Sequence, residues 1–290
     1  SVPAPNIFTG NGSDEAIDLL FRAFCIPGKD NVIIMPPTYG MYEVSAGIND
    51  VAIKKVSLTP SFEMAVKGVL AAVDPKTKII FICSPNNPSG NSINRNAIYQ
   101  VLDAFNGLVV IDEAYIDFSE EPGFSSEIKQ FPNLLVMQTF SKAWGLASLR
   151  LGMAYASEDI IGILSKIKPP YNISGLTQDT VLKALDNTAL LESMVQEILT
   201  AKENLKHDLS QVKGVEMIYP SSANFLLVKV PAASQVYQEL IQKKVIVRDR
   251  SKVQHCNDCL RITVGSKVEN EQLIKALKEV LAMQTSDHQN

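Results

Sequence analysis

No apolar run in this 290-residue chain approaches the ~18 residues that a membrane-spanning helix needs. The opening residues, SVPAPNIFTG, carry neither a basic nor an apolar stretch, so they do not read as a secretory signal. Positive charge is not in excess either. The 27 basic residues face 31 acidic ones, and a net charge of −4 gives no electrostatic ground for binding nucleic acid or an anionic membrane. Cysteine is scarce, with 4 residues in all. Cys256 and Cys259 form one C-x-x-C beside His255, but a zinc site normally needs four ligands and no second pair is present. Cys25 and Cys83 lie in apolar runs and read as buried free thiols. Internal repeats and low-complexity tracts are lacking, and the polar tail after Ala282 reads as frayed. What is left is a globular protein, expected in the cytoplasm, long enough for two core-bearing units.

What is present alternates. Short runs rich in Val and Ile occur at 32–35, 51–56, 79–83, 108–111 and 134–138, with helical-period segments between most of them. Continuous apolar strands separated by helices predict an α/β fold, a parallel sheet covered on both faces. From about Gly175 the pattern changes. One long helix is predicted from Gln178 to about Val212, closed by Gly214 as a C-cap glycine. Strands follow at 215–219, 223–230, 245–248 and 259–264, then a last helix from Val268 to about Ala282. This second part reads as a smaller α+β domain.

Three polar clusters fall at predicted strand ends, where open α/β sheets place their ligand sites. In FTGNGSDEAIDLL, Gly10 and Gly12 permit a tight turn, and Ser13 and Asp14 open an amphipathic helix. Free N–H groups at a helix start form an anion site, although a plain capped helix has the same pattern. The third glycine of the dinucleotide fingerprint is missing, because Glu15 stands in its place, which disfavours a nicotinamide dehydrogenase. In FICSPNNPSG, prolines and Gly90 shape a turn that presents Asn86 and Asn87. In LVVIDEAYIDF, Asp112 stands at the tip of an apolar strand, where an acid is costly unless paired or liganded. A fourth stretch, TFSKAWGLASLRLG, sets Lys142 among small and apolar residues, with Ser141 before it and Arg150 eight residues on. Partial burial near other cations lowers a lysine's pKa and makes it an amine nucleophile. A nucleophilic lysine, a buried aspartate and an anion cradle are the parts that pyridoxal phosphate requires.

The segments GNGSDEAIDLL, PPTYGMY, CSPNNPSG, DEAYIDF, TFSKAWGLASLRLG, PPYNIS, ANFLL, VRD and CLRITVG run along essentially the whole chain. In order and spacing they resemble the histidinol-phosphate aminotransferase family, in the fold-type I, class II group of pyridoxal-phosphate-dependent enzymes. The resemblance implies a mostly parallel seven-stranded sheet between helices in a large domain, residues 1–200, and a small α+β domain, residues 201–290. It implies pyridoxal 5'-phosphate held by Lys142, with Asp112 on the pyridine nitrogen and Asn87 and Tyr115 on the phenolic oxygen. Tyr42 would stack on the ring, and Gly12, Ser13, Asp14, Ser141 and Arg150 would hold the phosphate. Arg248 and Arg261, with Asn87, would bind the substrate, while Arg250 reads as solvated. The implied reaction is transamination of histidinol phosphate with 2-oxoglutarate, by a homodimer. A threonine-phosphate decarboxylase, an aromatic amino-acid aminotransferase and a non-catalytic effector-binding module share the fold and stay open on the residues alone. Members of the family also carry several tens of residues ahead of the GNGSDE turn, including a tyrosine that reaches the partner subunit's cofactor phosphate. The 290 residues hold no counterpart of that segment.

Overall fold

The computed structural model describes residues 2–287, built around two sheets. The first contains β1 (Ile7–Asn11), β2 (Asn31–Ile34), β3 (Ala52–Lys55), β4 (Thr77–Cys83), β5 (Leu108–Asp112), β6 (Leu134–Thr139) and β7 (Leu151–Tyr155). Their order is β1-β7-β6-β5-β4-β2-β3, and only β7 runs against the rest. Strands β2, β4, β5 and β6 contain the Val- and Ile-rich runs of the sequence, buried along almost their whole length because helices cover both faces. Along β5 the alternation is plain: Val110 packs with Ile17 and Phe81 on one side, Val109 and Ile111 with Ile98 and Leu102 on the other.

Two strands escape the sequence pattern. β1 and β7 are short and glycine-bearing, and Gly10, expected in a turn, sits within β1 opposite Gly152 of β7. The reason is a close approach. A Cβ on Gly152 would lie 2.2 Å from the Ser13 amide nitrogen, so only glycine lets the helix Ser13–Phe24 begin directly against β7.

The second sheet is wholly antiparallel, in the order β10-β11-β9-β8, from β8 (Met217–Ile218), β9 (Phe225–Lys229), β10 (Arg248–Asp249) and β11 (Cys259–Thr263). Val228, Leu260 and Ile262 pack against Leu205, Leu209, Val236, Leu240, Leu273 and Leu277 of three helices. The single long helix expected over 178–212 is two, Gly175–Leu185 and Thr188–Ser210. Asn187 starts the second by accepting the Leu190 amide at 3.3 Å, and capping of this kind breaks a helical period that the apolar pattern alone runs through. Gly214 does not close that helix, which ends four residues earlier. It takes a positive φ of 98° in the turn that follows. Arg248 begins its strand rather than ending one. The last helix runs Lys267–Asp287, past the expected end, and the remainder of the expected frayed tail lies outside the described residues. Among the described residues no helix is long and apolar enough to cross a membrane.

Candidate active site

The parallel strands end at one edge of the first sheet, and the chain leaving β1, β4, β5 and β6 meets β10 and β11 of the second across a cavity of about 320 Å³. Gly12, Ser13, Asp14, Asn87, Asp112, Tyr115, Ser141, Lys142, Arg150, Arg248 and Arg261 all line it, drawn together from across the chain.

At one end lies the helix start. Gly12 takes φ +76° and donates its N–H to the Arg150 carbonyl at 2.8 Å. A Cβ there would meet Arg150 Nη2 at 2.4 Å, so the bare glycine is what lets the guanidinium lie over the turn. Arg150, itself left-handed at φ +51°, donates to Asp14 Oδ2 at 3.3 Å. Together with Ser141 this is a cradle of free first-turn N–H groups, a hydroxyl and a cation, suited to a phosphate.

In the middle lies Asp112, the last residue of β5 and almost fully buried. Its Oδ2 accepts the Tyr42 hydroxyl at 2.8 Å and its Oδ1 the Ala114 amide at 3.1 Å. Burial raises its pKa, against the hydrogen bonds from Tyr42 and Ala114 and the charge of Lys142. Lys142 moves the other way. Burial and then the Arg261 charge lower its pKa, against Asp112 and Asp14, and so favour a free amine. Its Nζ stands 5.2 Å from the centre of the Tyr115 ring. Burial pushes the Tyr115 hydroxyl up to about 12, with Arg261 opposing, which keeps it a hydrogen-bond donor. The next residue after Asp112, Glu113, faces away from the cavity. It accepts from Phe124 N–H and Gln138 Nε2, and burial pushes it up to about 7.

At the far end Arg248 and Arg261 are direct cross-strand partners on β10 and β11, and so project on one face. Arg261 Nη1 donates to Asn87 Oδ1 at 2.6 Å, tying the second sheet to the loop after β4. Asn86, by contrast, is buried and structural. Its Nδ2 donates to the Pro37 carbonyl and to Ser89 Oγ.

Two expectations need correction. Tyr42 does not face the cavity. It is fully buried, stacked on Phe81 with ring centres 4.7 Å apart, and it serves Asp112 from behind. Besides Tyr115, the aromatic residue that lines it is Tyr39, whose hydroxyl donates to Asp14 Oδ1 at 3.0 Å. The sequence holds a clue, since Tyr42 lies within the helix Met41–Ile48 while Tyr39 precedes it. Arg250 is not solvated but lines the same cavity, two residues along from Arg248 and hence on the same side of the strand. Cys83 and Thr139 also line it, and both stand at strand ends. Cys256 and Cys259 are buried away from it as free thiols, and no metal-binding cluster occurs among the described residues.

The site fits a planar, phosphorylated ring. The glycine-lined cradle suits the phosphate, Asp112 offers a buried carboxylate at mid-cavity, and Lys142 supplies the amine. The Nε atoms of Arg250 and Arg261, both residues of the cavity wall, are buried without a hydrogen-bond partner.

Comparison with known proteins agrees. The family model for aminotransferase class I and II matches residues 2–277. The histidinol-phosphate aminotransferase of Cytophaga hutchinsonii is 54% identical over 278 residues, covering 96% of this chain and 80% of that protein. The crystal structure of the histidinol-phosphate aminotransferase from Clostridium acetobutylicum superposes with a TM-score of 0.88 at 23% identity, over 96% of this chain and 84% of that one. The Sinorhizobium meliloti histidinol-phosphate aminotransferase, solved in complex with pyridoxal-5'-phosphate, gives 0.87 at 21%, over 97% and 77%. At such identities the two superpositions speak for the fold, while the family match and the 54% relative speak for descent. The chain belongs to the class I and II aminotransferases, in their histidinol-phosphate aminotransferase family.

Proposed function

We propose that this protein transfers an amino group between histidinol phosphate and 2-oxoglutarate, giving imidazole-acetol phosphate and L-glutamate, as a step of histidine biosynthesis in the cytoplasm. The observation that carries the reading is the convergence of Lys142, Asp112 and four arginines on one cavity. Pyridoxal 5'-phosphate, when bound, supplies an electron sink for the bond broken at the substrate's Cα. The chain's own residues do the rest. Lys142 Nζ would be the amine that holds the cofactor and the group that moves the proton to and from the substrate's Cα. Asp112 keeps a proton on the ring nitrogen. Asn87 and Tyr115 hydrogen-bond the phenolic oxygen, Tyr39 walls the ring, and the Gly12–Asp14 turn with Ser141 and Arg150 holds the phosphate. Arg248 and Arg261 take the anionic end of either substrate by paired hydrogen bonds.

The test is direct. Borohydride reduction of the loaded protein followed by peptide mass spectrometry should place the cofactor adduct on Lys142, and Lys142→Ala should abolish transamination. An adduct on another lysine would remove the assignment. Assay of histidinol phosphate beside threonine phosphate and phenylalanine separates the proposed reaction from that of a decarboxylase or an aromatic aminotransferase of the same fold.

A further inference from the structure

Arg248, Arg250 and Arg261 all line the cavity, Arg248 and Arg261 as direct cross-strand partners. Among the described residues none of them forms a salt bridge with a carboxylate. The nearest acid in sequence, Asp249, points elsewhere, accepting from Ser234 Oγ at 2.7 Å and from the Ser251 amide at 2.8 Å. Arg261 is held by Asn87 and by the face of Phe225, 4.9 Å from its ring centre. Arg250 has no such hold, although its Nε is buried and unpartnered. Only its backbone is fixed, its N–H donating to the Cys259 carbonyl at 2.9 Å, next to β11. Burial lowers the pKa of Arg261, and the like charges of Arg250 and Arg248 add to it.

Such crowding is unfavourable unless an anion relieves it, and the size of the anion matters. A carboxylate has two oxygens and one charge, which a single bidentate guanidinium satisfies. A phosphate monoester has three free oxygens and, above its second pKa of about 6, two charges, enough for a second and third guanidinium. We infer that Arg250 is a specificity-determining residue: with Arg248 and Arg261 it completes a three-guanidinium pocket that favours a dianionic phosphate end over a carboxylate end. The inference rests on the proposed amino transfer and adds to it the residue that separates its two substrates.

The experiment compares wild type with Arg250→Gln and Arg250→Lys as loaded enzymes. Single-turnover half-reactions with histidinol phosphate and with glutamate give the ratio of their specificity constants. Taking a charged, bidentate hydrogen bond away from the phosphate alone should lower that ratio about 10- to 100-fold in Arg250→Gln. Arg250→Lys, which keeps charge without the fork, should fall between. Equilibrium binding of glycerol phosphate and of glutarate, followed through the cofactor's absorbance, gives a readout without turnover. Wild type should bind glycerol phosphate more tightly as pH rises through about 6, where the second proton leaves, and Arg250→Gln should show a flatter profile. Equal losses for both substrates would make Arg250 a prop of the strand, and no loss would make it a solvated side chain; either result overturns the inference. A wild type that binds glycerol phosphate but does not turn over histidinol phosphate would instead overturn the proposed reaction, leaving Arg250 to be judged by the pH profile.

Discussion

Tyr42 shows how the role of a residue can change while its importance stays. A tyrosine three residues from another, in PPTYGMY, is equally able to wall a ring or fill a core, and the string does not decide between them. Burial decides. The phenol stacks on Phe81, and its hydroxyl becomes one of two donors holding Asp112. That bond favours the charged carboxylate in a setting where burial opposes it. Tyr42→Phe keeps the ring stack and removes only the donor, leaving Asp112 Oδ2 short of a partner. A buried acceptor left unmade costs about 1–3 kcal/mol. The expected result is a ~10-fold slower half-reaction with both substrates, together with weaker binding of pyridoxal phosphate to the apo-protein by fluorescence titration. Unchanged cofactor affinity and rate would show that the backbone amide of Ala114 alone suffices to aim Asp112.

Among the elements, those built from one kind of residue were legible and those built on proximity were not. Runs such as IIFIC and LVVID announce buried parallel strands, and the acid ending LVVID marks its own tip as a site. β1 and β7 carry no such run. They are strands because Gly10 and Gly152 let two backbones and a helix start lie against each other, a relation between residues 142 positions apart that no local window contains. The break at Asp186–Asn187 was hidden for the opposite reason, since the apolar period continues through it. The close approach at Gly152 can be tested. In Gly152→Ala the new methyl would have to push the Ser13 amide outward, and overpacking of this kind costs about 1–3 kcal/mol. Thermal unfolding should show that loss. Because Ser13 belongs to the cradle, pyridoxal phosphate should also bind more weakly, while pyridoxal, which lacks the phosphate, should be affected less. A variant with wild-type melting and wild-type cofactor affinity would mean that the turn yields without cost.

At the level of the whole molecule, large apolar side chains stand exposed over one stretch of chain, with Tyr171, Leu176, Leu182, Leu185 and Leu190 all open to solvent and Tyr171 93% exposed. Exposed apolar area gathered in this way is more often an interface than bare surface, and the family resemblance implies a homodimer. Sedimentation should then report a dimer, and Leu182→Asp with Leu185→Asp should shift it toward monomer at micromolar concentration. A wild type that sediments as a monomer would overturn the expected homodimer. The two sheets carry a different division. Asp112 ends a strand of the first, with Lys142 and the phosphate cradle in the segments that adjoin its strands, whereas Arg248 and Arg261 stand in the second and Arg250 directly follows β10, with the Arg261–Asn87 bond joining the two sides. On the proposed reading, what reaction is performed and on which molecule are written in separate stretches of the gene. Substitutions at Arg248 and Arg250 would therefore change which amino donors are accepted, whereas one at Arg261 would also reach the chemistry, because its charge helps to lower the pKa of Lys142.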